Sequence, residues 1–384
     1  MASVHSRGAH APVFPQGVSM AGKMARDKAK RKSVHQARPS ARKAPAKAKK
    51  APAKARKAPA KTKKAPAKAK KAPAKVKKAP AKAKKAPAKA SLRLPKPKGP
   101  LKVIRKIADM KKFIREARSR GRRIALVPTM GFLHDGHVSL IHEARRQASL
   151  VVVSVFVNPM QFGPQEDLDR YPRDFSGDRR KIASAGASVL FCPDVAEMYP
   201  EGFQTAVEVT DVSRDLCGAS RPGHFRGVTT VVAKLCLLVQ PDVALFGEKD
   251  YQQLIIIRRM VRDLGLDIQV VGMPTVREED GLAMSSRNTY LSPSQRQQAL
   301  ALSRGLRKAR KLCESGERDA AELAAVVVDI LREQRDLEIE YVAVCHPETL
   351  ERVQEVEREA VLLVACRVGE TRLIDNIRLT TRKK

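Results

Sequence analysis

Between residues 101 and 275 the apolar positions follow two alternating spacings. Ile104, Ile107, Met110, Ile114 and Ala117 recur every three or four residues, which predicts an amphipathic helix closed near Gly121. Short unbroken apolar runs come next: IALVP at 124–128, LVVVSVFV at 150–157, then 188–192, 243–246 and 268–271. A run that is apolar at every position and rich in β-branched residues marks a strand buried on both faces. Helical spacing fills the intervals at 138–148, 177–185, 229–239 and 251–264. Strands alternating with helices predict βαβ units, hence an α/β domain with a parallel sheet and right-handed crossovers. Ligands of such sheets lie beyond the carboxyl ends of the strands.

The pattern changes after residue 275. A helix is expected over 291–312, another over 320–333, and strands near 338–344, 360–368 and 371–376. This is an α+β pattern, so a smaller C-terminal domain at 276–384 is expected beside a catalytic domain at 101–275. The proline-bearing segment 92–101 reads as a linker.

Charge separates off the first hundred residues. They hold 32 of the 76 Lys+Arg and a single acid, Asp27, a net +31, whereas 101–384 balances 44 bases against 39 acids. A seven-residue unit, KAPAKAK from Lys43, runs on to Ala90 with prolines at 45, 52, 59, 66, 73, 80 and 87. A coiled coil is excluded, because no Leu or Ile occupies a core position and proline interrupts every second turn. Ala, Lys and Pro bury too little to offset ordering, so 1–100 is expected to be a disordered basic tail. It is similar to the Lys/Ala/Pro tails of linker histones, and a polycation of this density binds nucleic acid by releasing counterions. A solvated spacer is the plainer reading. Residues 1–40 also resemble an organelle transit peptide, although lysine repeats are not typical of one.

Low aromatic content, 4% with no Trp, argues against a base-stacking surface. No 18-residue apolar stretch predicts a membrane span. The six cysteines form no CxxC pair, so neither zinc nor a disulfide framework is indicated, and a reducing cytoplasm fits.

Four segments carry candidate chemistry. PTMGFLHDGH at 128–137 follows a strand and opens a helix; the glycines allow close backbone approach, and helix N–H groups suit phosphate. His134 and His137, three apart, would face one side and could donate to oxygens that gain charge. There is no P-loop motif. VNPMQF at 157–162 places Asn158 and Gln161 at the next strand's end. FGEKDYQQL at 246–254 supplies Lys249, a point charge for phosphate, with Asp250 for a ribose hydroxyl and Gln253. REEDGLAMSSRN at 277–288 gathers Ser285, Ser286 and Arg287, which could clamp moving phosphates. Singly, each has a plain structural reading as a cap, turn or helix start. Together they argue for a nucleotide site of the HIGH type, where adenylyl transfer activates a carboxylate.

Taken in order with RPGHFRGVTTVVAKL at 221–235, these motifs resemble the pantoate–β-alanine ligase family over essentially all of 101–384. The resemblance implies a Rossmann-like domain of the HIGH nucleotidylyl transferase superfamily with a smaller C-terminal domain acting as a lid, commonly in a homodimer. It implies ATP with Mg2+ held mainly through the phosphates, and (R)-pantoate and β-alanine as the other substrates. By matched position, Met130, Gly131, Phe132, Leu133, His134, Asp135, Gly136 and His137 would bind ATP, with His137 a proton donor. Gly247, Glu248, Lys249 and Asp250 would also bind ATP, with Lys249 at the phosphates. Val276 would touch the adenine or ribose, and Met284, Ser285, Ser286 and Arg287 would close over the triphosphate. Gln161 and Gln253 would hold pantoate. Cys236 and Leu238 depart from the family pattern at positions that concern packing. The family does not normally possess a tail like 1–100. That leaves a second class open, a nucleic-acid-compacting protein with an inactive ligase domain, and a third, another adenylating enzyme on the same fold.

Overall fold

A computed structural model describes residues 99–381. The basic tail expected at 1–100 therefore lies, but for Gly99 and Pro100, outside the described residues.

Six strands form one wholly parallel sheet: β1 (Lys102–Ile104), β2 (Ile124–Thr129), β3 (Leu150–Val155), β4 (Val189–Phe191), β5 (Val243–Gly247) and β6 (Gln269–Met273), in the order β1-β4-β3-β2-β5-β6. The chain moves outward from β2 through β3 and β4, then returns to the other side of β2 with β5 and β6. The reversal leaves a crevice at the carboxyl ends of β2 and β5, the usual ligand position in such sheets.

Period-two alternation explains why one sheet carries two cores. Ile124 and Leu126 of β2 pack with α1 (Ile107–Ser119), α6 (His224–Val239) and α7 (Tyr251–Asp263). Ala125 and Val127 face α2 (Asp135–Gln147) and α3 (Phe175–Ala185) on the other side. All four are fully buried, and burial of each large aliphatic side chain stabilises by roughly 1.5–3 kcal/mol. Two single-turn helices, α4 (Val195–Met198) and α5 (Cys217–Ser220), sit in the connections. Cys236 and Leu238 of α6, the departures from the family pattern, are core residues.

The C-terminal part packs α8 (Pro293–Glu314) and α9 (Ala320–Arg332) against an antiparallel sheet of β7 (Leu337–Cys345), β8 (Glu359–Val368) and β9 (Thr371–Thr380). The opposite face of that sheet is apolar too. Ala343, Cys345, Val361 and Leu363 pack on Leu216, Tyr251 and Ile255, which seats the small sheet on the start of α7.

Three helix starts differ by three residues or more from the expected positions. Ile104 is a strand residue paired with Phe191, not the first turn of the helix, because three residues at a sheet edge are too few to show a period. α1 ends as expected at Gly121, whose φ of +64° closes a Schellman turn through Gly121 N–H to Arg118 O and Arg122 N–H to Ala117 O. α2 and α6 each begin upstream of the expected position, at 135 and 224; the first turn of α2 is polar, and in α6 the buried Phe225 is cut off from the apolar run by Arg226 and Gly227.

Candidate active site

Four segments meet at the crevice between β2 and β5. From the first, Met130, His134, Gly136 and His137 line the pocket. Gly131 takes a φ of +89° and Phe132 a φ of +49°, which bends the chain sharply after β2. Asp178 of α3 holds this bend by accepting from Phe132 N–H at 2.8 Å and Leu133 N–H at 2.7 Å, and Lys181 donates to Leu133 O. A β-carbon on Gly131 would meet Asp178 Oδ2 and Val155 at 3.0 Å. Leu133 is buried in the core, and Gly131, Phe132, Leu133 and Asp135 support the wall without forming it.

The two imidazoles lie against each other, tilted by 35°, with ring centroids 4.1 Å apart. Burial, and then the nearby Lys249 charge, lowers His134 from 6.5 to about 4. Burial holds His137 well below its usual value, with His134 and Lys249 adding to the effect. Both rings are therefore neutral at pH 7. His137 Nδ1 accepts from His134 N–H at 3.3 Å, so the neutral ring carries its proton on Nε2. His134 Nδ1 is shielded from solvent and makes no hydrogen bond.

Gln161 comes from a 3-10 turn after β3, Pro159–Gln161. Asn158 organises this turn: its Oδ1 accepts from Met160 N–H and Tyr199 Oη, and its Nδ2 donates to Gln161 Oε1 and Gly227 O, both at 3.0 Å. Gln161 Nε2 lies 3.1 Å from Met130 Sδ. A β-carbon at Gly227 would fall 2.2 Å from Met160 O, so the turn can approach α6 only where the helix lacks a side chain.

The third segment supplies Gly247, Lys249 and Asp250, with Gln253 one turn into α7. Glu248–Asp250 is a 3-10 turn, and the Glu248 side chain points away, toward Arg378 at 3.3 Å. Lys249 Nζ is 3.7 Å from Asp250 Oδ1. The fourth brings Val276, Met284, Ser285, Ser286 and Arg287 to the same wall. Ser285 caps the turn Ser286–Tyr290 through Arg287 N–H, and Ser286 Oγ is 2.9 Å from Tyr171 Oη. Arg287 is held by a bidentate pair with Asp167, at 2.9 and 2.7 Å. Burial alone would raise the Asp167 carboxyl, but Arg287 outweighs it and holds it below the usual range.

Arg221 and His224 also line the pocket, and no role was legible for them within RPGHF. Arg221 makes a bidentate pair with Glu166 and donates to Gln161 O. His224 Nδ1 donates to the same carbonyl at 2.8 Å, which leaves Nε2 to accept from Arg221 at 3.0 Å. Burial, and then Arg221, lowers His224 to about 3. The contacts to Glu166 and Gln161 span more than 50 residues, so the sequence gives no sign of that pairing. Chemically, the crevice combines one lysine, neutral imidazoles, amides and hydroxyls around an open space, which suits a polyanion beside a small polar acid.

Comparison with known proteins bears on the same region. The Pantoate-beta-alanine ligase family profile matches residues 102–378. The pantothenate synthetase of Myxococcus xanthus is 59% identical over 280 residues, covering 72% of this chain and 96% of that protein. That of Geobacter sulfurreducens is 55% identical over 276 residues, covering 72% and 98%. Among solved structures, a pantothenate synthetase from Thermus thermophilus aligns with a TM-score of 0.69 at 49% identity, covering 72% of this chain and 99% of that one. A Francisella tularensis pantoate-beta-alanine ligase, complexed with Beta-gamma ATP and Beta-alanine, aligns with a TM-score of 0.60 at 32% identity, covering 72% and 97%. This chain, through the match that runs from β1 into β9, belongs to the pantoate–β-alanine ligase family.

Proposed function

We propose that the crevice between β2 and β5 carries out the family's ligase reaction, with the roles that follow. ATP and (R)-pantoate react first. A pantoate carboxylate oxygen attacks the α-phosphorus, the bond to the β-phosphate oxygen breaks, and pyrophosphate leaves. The β-alanine amine then attacks the acyl carbon of pantoyl adenylate, releasing AMP and pantothenate. Attack of one anion on another needs orientation and charge neutralisation more than covalent help. Lys249 offsets phosphate charge. His137, neutral with its proton on Nε2, donates to an oxygen that gains charge, and His134 assists beside it. Ser285 and Ser286 offer hydroxyls over the phosphates, where Arg287 joins them. Met130, Gly136, Gly247, Asp250, Val276 and Met284 shape the nucleotide site, with Gly131, Phe132, Leu133, Asp135 and Glu248 behind them. Gln161 and Gln253 hold pantoate.

No three His, Cys, Asp or Glu gather as a metal-ligand group among the described residues. Asp250 lines the crevice, and Mg2+ would accompany the nucleotide there, held mainly by the phosphate oxygens, where it would neutralise charge on the departing pyrophosphate. The domain division at 275/276, the lid role of 276–384 and the homodimer belong to this reading. So does a cytoplasmic setting, which the six free, buried cysteines support. No helix among the described residues is long and apolar enough to cross a membrane.

The observation that supports the site assignment is that His137, Gln161, Lys249 and Arg287, from four separate segments, line one crevice. His137→Ala and Lys249→Ala should each lower pantoate- and β-alanine-dependent AMP release by about a hundredfold or more. Denaturation midpoints should stay near the parent's. Undiminished turnover in both variants would refute the assignment.

The tail supports a second, additional activity. With a net +31 over 100 residues, it binds nucleic acid without sequence preference, which allows association with the nucleoid. Gel shifts of the full chain and of 101–384 should differ, with the full-length shift fading steeply as salt rises. No shift of the full chain at low salt would rule this out.

A further inference from the structure

Lys249 belongs to a single 3-10 turn between β5 and α7. A lone turn has little rigidity of its own, yet the side chain must meet a phosphate to within a fraction of an ångström. Part of what holds the turn lies more than a hundred residues away in the chain. Asn376 of β9, only 7% exposed, directs its side-chain amide at the turn, and Nδ2 donates to Glu248 O at 2.9 Å and to Lys249 O at 2.8 Å. Nδ2 has two hydrogens, and these two carbonyls use both.

Asn376 is itself fixed. Its N–H donates to Asp375 Oδ1 at 2.8 Å, and Asp375, 3% exposed, holds Arg277 through Oδ2 at 2.6 Å and Oδ1 at 3.0 Å. Arg277 stands at the base of the fourth segment, where it bridges to Ala283 just before Met284. Two successive residues of one strand thus grip the turn bearing Lys249 and the stem of the loop bearing Ser285 to Arg287. A buried bidentate Arg–carboxylate pair is rigid, and that rigidity is passed to the neighbouring amide.

We propose that Asn376 is a positioning residue for adenylation, which places Lys249 by holding the backbone of its turn from the C-terminal sheet. The inference rests on Lys249 acting at the phosphates of ATP. Aspartate is the informative replacement. It has the same shape, but it donates nothing and sets a carboxylate oxygen against two carbonyl oxygens.

The test is a double-mutant cycle in the full chain on the rate of adenylate formation, with enzyme in excess over pantoate. The four proteins are the parent, Asn376→Ala, Lys249→Ala and the double variant, with Asn376→Asp as a fifth. Asn376→Ala should slow adenylation about ten- to a hundredfold, the scale of a misplaced catalytic group. Asn376→Asp should slow it at least as much. The Michaelis constant for β-alanine should not move. In the Lys249→Ala background, removing Asn376 should change the rate less than about twofold, because its effect acts through a side chain already gone. Denaturation curves confirm that each protein is folded under assay. An equal cost of Asn376→Ala in both backgrounds would overturn the inference while leaving the Lys249 assignment intact. So would full adenylation by Asn376→Ala. Parent-like adenylation by Lys249→Ala would remove that assignment and this inference with it.

Discussion

At His134, burial and the Lys249 charge set the protonation state, and with it a pH dependence of stability. The folded ring titrates at about 4, below the unfolded 6.5. As pH falls, the unfolded chain takes up this proton first. The contribution of His134 is therefore complete above pH 6.5 and is lost progressively toward pH 4. Between pH 7 and 4.5 the parent should lose on the order of 2 kcal/mol more stability than His134→Gln, read from urea unfolding. Equal losses would mean that the ring is not held neutral. Much of this was hidden in the sequence. The spacing of His134 and His137 is visible in PTMGFLHDGH, but what neutralises them is burial together with a lysine from another segment. Asp178 and Gly227 were likewise unremarkable letters. Their importance comes from what lies against them, the N–H groups of Phe132 and Leu133 for one and Met160 O for the other.

Among the elements, helix starts show how much local chemistry decides. α8 opens with Ser292, Pro293 and Gln295, a capping box in which Gln295 N–H donates to Ser292 Oγ at 3.2 Å and Ser292 N–H to Gln295 Oε1 at 3.0 Å. Ser292→Ala should cost about 1 kcal/mol of stability in denaturant unfolding. Turnover should remain at the parent level, since the cap lies outside the crevice. A loss of activity without a loss of stability would show that α8 matters to the site itself. Long amphipathic helices and the continuous apolar strands could be read from their periods. β1 could not, because its three residues form a strand only through β4. The turns bearing Gln161 and Lys249 were legible as loops. Their 3-10 geometry depends on Asn158 for the first and Asn376 for the second, and only the first is nearby in sequence.

For the molecule as a whole, the match to ligases of known length covers 102–378, and curated relatives are matched over 96–98% of their length by 72% of this chain. Residues 99–384 alone should therefore turn over pantoate, β-alanine and ATP within about twofold of the full chain when nucleic acid is absent. Among the described residues, the cores and the lining of the crevice are within that span. A tenfold or larger drop, with the shortened protein folded by denaturation, would mean that the tail takes part in the reaction.

The amino-acid sequence alone dictates the long helices and every sheet strand but β1, because burial on one or two faces imposes a period that the letters display. It also determined the family, through motifs long enough to be specific, and it isolated the charge of the first hundred residues. Tertiary structure alone decided how the site is tuned: that both histidines are neutral, that Arg287 is paired with Asp167, that Arg221 and His224 back Gln161, and that β9 reaches Lys249. Those are interactions between groups remote in the chain, and their strength depends on distance and burial, which exist only once the chain has folded.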